Sequence, residues 1–167
     1  MPDHIDEIIT EVIENEVGGK PDGGYTNDPT DRGGRTQYGI AEASNPKAWA
    51  DGKVTEDEAR AIYRHKYVEV PGFDRITDLK LQSALIDWGV ISGPMVATQY
   101  LQRILGVNVD GTLGPKTMDA ANGRDPRELT LLLVAERVRM IGRIVKKNPS
   151  QLKYINGWLD RALEFLA

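Results

Sequence analysis

The chain has no cysteine and only two histidines, His4 and His65. The missing cysteines exclude a disulfide framework and thiolate metal sites. The histidines show no ligand spacing, so neither a metal centre nor any other cofactor is expected. Long hydrophobic runs are missing too. The longest, "LTLLLVA", falls far short of the roughly 20 apolar residues that span a bilayer, and the start, "MPDHIDEIIT", lacks both the basic segment and the apolar stretch of a secretory signal. The expectation is synthesis in the cytoplasm, no membrane anchor, and a separate exit route if the chain acts outside. No internal repeat with a period of roughly 20 to 50 residues is visible, which removes the solenoids.

What is present describes a folded chain of ordinary composition. At 167 residues, with 40% hydrophobic and 28% charged, it is long enough to bury a core without a partner, so a monomer is expected. The net charge of -4 is unevenly distributed. Residues 1–123 hold 12 Lys and Arg against 20 Asp and Glu, and residues 124–167 hold 9 against 5. A basic tail suits an anionic polymer such as cell wall, with Arg137, Arg139, Arg143 and Arg161 either facing it or solvating helix faces. The acidic balance of the whole argues against nucleic acid.

Helical signals dominate. Ile5, Ile8, Ile9, Val12 and Ile13 recur at the helical period and stop before Gly18-Gly19. Thr55 with Glu58 forms a capping-box pattern, and Asp78 can cap a helix running to about Ile91. Pro94 and Gly106 bracket "VATQYLQRIL" as start and stop, and a short helix follows from Pro115. Asp125-Pro126 opens a long helix to about Lys147, and Ser150 is placed to cap a last one. Strand signals are confined to "GGYTND" and "RTQYGI", which suggest one small hairpin after the first helix. The expected class is mainly α, or α+β, with about seven helices.

The three glutamates near the first helix end are not equivalent. On a wheel of about 100° per residue with Ile5 at zero, Glu16 falls at about 20°, inside the apolar stripe, whereas Glu14 at about 180° and Glu7 at about 200° face solvent. One reading makes Glu16 a partly desolvated carboxyl with a raised pKa, as a general acid near neutral pH requires. The other has Glu16 beyond a frayed last turn and pointing into water. Glycines cluster beyond it, where side chains are removed and backbone can approach a ligand. Asp31, Thr36 and Tyr38 add a second carboxylate, a hydroxyl and an aromatic. Two carboxyl groups can divide glycoside hydrolysis, one protonating the leaving oxygen and one activating water, although Asp31 is equally a turn residue.

"VIENE" leading into "GGYTNDPTDRGGRTQYGI" resembles the signature of glycoside hydrolase family 108, the N-acetylmuramidases of phage endolysins and related bacterial proteins. In that family the glutamate directly precedes Gly-Gly-Tyr, whereas here "VGGKPD" separates Glu16 from Gly23-Gly24-Tyr25. Fourteen residues stand between Glu16 and Asp31 and four between Asp31 and Thr36; without the insertion the first interval approaches that of phage lysozymes. The resemblance implies a lysozyme-like fold, Glu16 as catalytic acid, and Asp31 and Thr36 placing the attacking water. It also implies substrate contacts from Tyr25, Tyr38 and Gly34.

"QYLQRILGVNVDGTLGPKTMDAANG" and "NGWLDRALEFL" resemble the predicted peptidoglycan-binding region at the C-terminus of the same family. "DWGVISGP" is similar to the segment preceding it, which places Trp88 and Ser92 either at a cleft or, for Trp88, in the core. The implied organisation is a catalytic lobe over 1–92 and a helical lobe over 93–167, packed as one compact unit. The implied activity is cleavage of the β-1,4 bond between N-acetylmuramic acid and N-acetylglucosamine, with peptidoglycan as substrate. A lytic transglycosylase using the same glutamate, or a wall-binding module without turnover, are the alternatives.

Overall fold

The computed structural model describes residues 3–28 and 33–167 and divides the chain into two compact units, Met1–Val70 and Pro71–Ala167. Asp31 lies outside the described residues. The expected class is found: seven α-helices and one two-stranded antiparallel hairpin after the first helix among the described residues.

In the first unit, α1 (His4–Val17) starts where the Asp3 side chain accepts from the Asp6 amide at 2.8 Å. It ends at Gly18, whose left-handed conformation (φ 60°) returns its N–H to the Glu14 carbonyl. Ile8, Ile9, Val12 and Ile13 are buried, as the periodicity requires. Helix α2 (Glu56–Arg64) has the capping box read from Thr55 and Glu58, and continues into a π-helical turn over His65–Glu69. The two helices are tied by polar contacts from α2. Arg60 donates to Thr10 Oγ1 at 2.9 Å, and Arg64 reaches Asp3 at 3.0 Å and also Asp6.

The hairpin lies between them, shifted from its expected place. Strands β1 (Thr36–Gln37) and β2 (Ile40–Ala41) pair within "RTQYGI" and its next residue, with Tyr38 and Gly39 as the two-residue turn. Both turn residues have positive φ, 51° and 73°, as a type I′ turn requires. "GGYTND", expected as the partner strand, touches β1 only at the bridge Thr26↔Thr36. Glycines at 23 and 24, both with positive φ, interrupt extended backbone there.

The second unit holds α3 (Leu79–Ser92), α4 (Pro94–Leu105), α5 (Pro115–Asn122), α6 (Pro126–Lys147) and α7 (Ile155–Leu163). Asp78, Pro94, Gly106, Pro115 and Asp125-Pro126 act as expected. Ser150 does not cap the last helix. Asn148 accepts from the Ser150 amide and hydroxyl and opens a 3-10 segment, Pro149–Tyr154, from which α7 continues without a side-chain cap. Helix α3 is buried without a break from Leu81 to Gly89 except at Ser83, so it forms the centre of this unit, against Leu101, Leu129 and Leu133.

Candidate active site

The site is built where α1 ends against the hairpin turn. Gly39 is the contact point: a Cβ placed on it would stand 3.1 Å from Glu16 Cγ and would collide with the Tyr63 hydroxyl. Only glycine fits there, both for space and for its φ. The Tyr63 hydroxyl, from α2, donates to the Tyr38 carbonyl at 3.1 Å. Three elements therefore meet at the Tyr38–Gly39 turn, and Glu16 rests on it.

Glu16 is exposed, so of the two readings the partly desolvated carboxyl is the one its position does not match. The wheel gives the direction of a side chain but not what it meets. At the level of Glu16 the neighbour is a glycine, which covers Cβ and Cγ and stops short of the carboxylate.

Tyr38 is the one described non-glycine residue with positive φ, a conformation that costs on the order of 1 kcal/mol and has to be held by its surroundings. Its ring lies on Gly23, where a Cβ would come within 2.5 Å of Tyr38 Cζ, and its N–H donates to the Gly23 carbonyl at 2.7 Å. Gln37 reinforces the arrangement by donating to the Asp22 carbonyl at 3.0 Å and accepting from the Val54 N–H at 3.0 Å. The segment between Glu16 and Tyr25 is thus fastened to the hairpin and to the approach to α2.

Thr36 pairs across the hairpin with Ala41 and bridges to Thr26 through main-chain bonds of 2.9 and 3.0 Å. Tyr25 is exposed beside the buried Trp49, ring centroids 6.3 Å apart. Arg35 lies over Trp49 at 4.8 Å and makes a two-pronged contact with Glu42 at 2.8 and 2.7 Å. The guanidinium holds the Glu42 carboxyl below its ordinary pKa, and the carboxylate raises that of Arg35 in turn. Gly34 lies against the Glu42 side chain, so it is tied to this pair.

Sequence reasoning missed Tyr63, Trp49 and the Arg35–Glu42 pair. Tyr63 was readable only as an apolar position of α2. The "YG" dipeptide before the short strand Ile40–Ala41 was the local signal for the turn.

Trp88 and Ser92 belong to the second unit. Trp88 is completely buried and stacked on Tyr100 at 4.8 Å, so its ring offers no face to a ligand and is core. Ser92 borders an apolar cavity of about 200 Å³ with Ile91, Ile141, Ile144 and Trp158. The basic tail residues are also largely committed. Arg137 and Arg161 both bind Asp87, at 2.7 and 2.8 Å; Arg139 pairs with Glu136, and Arg143 donates to the Tyr100 hydroxyl at 3.0 Å. Asp110-Gly111 forms a bend between α4 and α5, with Asp110 accepting from the Thr112 amide and from Gln102.

Residues 15–93 match the family described as Glycosyl hydrolase 108, and residues 96–163 match a Predicted Peptidoglycan domain. The chain carries a glycosyl hydrolase 108 domain followed by a predicted peptidoglycan domain. The first match opens one residue before Glu16 and contains the whole arrangement around the Tyr38–Gly39 turn. The family 108 domain makes the chain a glycoside hydrolase, and the second domain supports peptidoglycan as its substrate. Eleven chains of solved structures match, among them SagA of Brucella abortus, at 26% identity and a TM-score of 0.70, over 96% of this chain and 94% of that one. No curated protein matches.

Proposed function

We propose that this peptidoglycan hydrolase is an N-acetylmuramidase, cutting the β-1,4 bond from N-acetylmuramic acid to N-acetylglucosamine with Glu16 as general acid. The observation that carries the reading is the seating of Glu16 on Gly39, at the start of the segment that matches the family. The stem of the acid is held against Gly39 at an exposed position of the unit.

In this mechanism Glu16 gives its proton to the glycosidic oxygen, which leaves as the 4-hydroxyl of N-acetylglucosamine while the bond to C1 of muramic acid breaks. Water attacks C1 and returns a proton to the carboxylate. Asp31 and the Thr36 hydroxyl position that water. Tyr25 and Tyr38 supply aromatic surface to the sugars. The setting that fits such an enzyme is lysis of a bacterial wall by a phage-type endolysin, a monomer released from the cytoplasm to the wall by a separate exit route.

Glu16→Gln is expected to keep the circular dichroism spectrum and lose wall clearance by at least about a hundredfold; a variant that still clears a turbid wall suspension at the parent rate would sink the reading. Mass spectrometry of the released fragments identifies the reaction. Reducing muramic ends are expected, and 1,6-anhydromuramic ends would instead mean transglycosylation by the same acid.

A further inference from the structure

Near Glu16 the first unit holds a cavity of about 540 Å³ that the mechanism above touches only through Tyr38. Its α1 wall is Thr10, Ile13, Glu14 and Val17, a helical face centred roughly 110° around from Glu16. The opposite wall is the "VGGKPD" segment, through Gly19, Lys20 and Pro21, and Tyr38 closes the end towards the acid.

The polar groups of this cavity fall into two sets. Arg60, Glu56 and Thr10 satisfy one another: Arg60 makes two bonds to Glu56, at 3.0 and 2.8 Å, and one to Thr10. The Glu14 carboxylate and the Lys20 ammonium meet no partner among the described residues. What remains for a ligand is an apolar floor of Ile13, Val17 and Pro21, one acceptor of negative charge and one donor of positive charge. A bare glycan offers at most the lactyl carboxylate of muramic acid, with no amine for Glu14 and no apolar side chain for the floor. A peptide with small apolar side chains, a carboxylate and an amine has a group for each.

Peptidoglycan carries such a peptide on the lactyl ether at O3 of muramic acid, the same ring whose C1 is attacked in the proposed reaction. We propose that the cavity between α1 and the Val17–Asp22 segment is a subsite for the peptide stem, with Glu14 taking its amine and Lys20 its carboxylate. This rests on the muramidase reading for its placement. The bonds from the Tyr38 N–H to the Gly23 carbonyl and from the Gln37 side-chain amide to the Asp22 carbonyl keep the wall formed before the ligand arrives.

The test compares the full chain on wall sacculi with stems intact and on the same sacculi stripped of stems by an amidase, following release of reducing ends. The parent enzyme is expected to favour the intact substrate. The double variant Glu14→Gln, Lys20→Ala is expected to lower the ratio of the two kcat/KM values by roughly tenfold; an unchanged ratio overturns the subsite while leaving the muramidase reading intact. If neither substrate yields reducing ends, the muramidase reading fails by itself. The subsite is then decided by titrating a free tetrapeptide stem into the chain. Amide shifts centred on residues 13–24 support it, and no shift there overturns it.

Discussion

Glu16 and Gly39 are two residues whose roles exist only as a pair. A Gly39→Ala substitution would place a methyl group against both the Glu16 stem and the Tyr63 hydroxyl, on a backbone with φ of 73°. It is expected to cost about 1–3 kcal/mol of stability and to lower wall clearance beyond what that loss explains. Urea unfolding beside a turbidity assay separates the two effects. The sequence disclosed half of this pair. Helical periodicity distinguished Glu16 from Glu14, because angle around a helix depends on sequence alone. The depth of Glu16 did not follow, since that depends on a turn more than twenty positions later in the chain.

Helix ends were the most readable elements, because a cap is settled within a few residues by one side chain and one amide. Asp3 was overlooked as the first cap, and Asn148 takes the role expected of Ser150. Non-local features were less legible. The hairpin register was misplaced because two glycine-rich segments look alike in sequence, and only one has positive φ at two adjacent positions between pairing residues. Likewise nothing local marks Asp87 as the partner of Arg137 and Arg161, respectively 50 and 74 positions away. This group joins α3, α6 and α7 in a nearly dry interior, with Asp87 and Arg137 side chains 9% and 5% exposed. Asp87→Ala would leave buried guanidinium charge without compensation. The expected loss is about 3–5 kcal/mol, read from chemical denaturation of the second unit's tryptophan signals.

Across the whole molecule, charge links composition to behaviour in acid. Asp3, Glu42, Glu58, Asp110 and Glu128 are all held below their ordinary values, chiefly by the Asp6 amide, Arg35, the Thr55 amide, Gln102 and Arg124 in that order. A lowered folded-state pKa means that the unfolded chain binds more protons in acid. The stabilising contribution is therefore present above the ordinary values, 4.5 for Glu and 3.8 for Asp, and is lost as pH falls through the folded ones. Urea midpoints are expected to fall between about pH 5 and about pH 3, and Glu42→Gln to reduce that fall. The mainly helical class could be anticipated from linear patterns, since periodicity and capping need no long-range contact, whereas the hydrolase domain and peptidoglycan followed from the resemblance to family 108. The division at Val70–Pro71 could not, because it follows from which helices share a core.

The bond from Tyr63 to the Tyr38 carbonyl gives the turn a second significance. Tyr38 and Gly39 are consecutive, so the peptide unit that α2 grips is the one that leads into the seat of Glu16. That unit works as a common bearing for two helices. A shift of α2 by a fraction of an ångström is transmitted to the acid through one planar amide, which makes the aim of the carboxyl a property of helix packing.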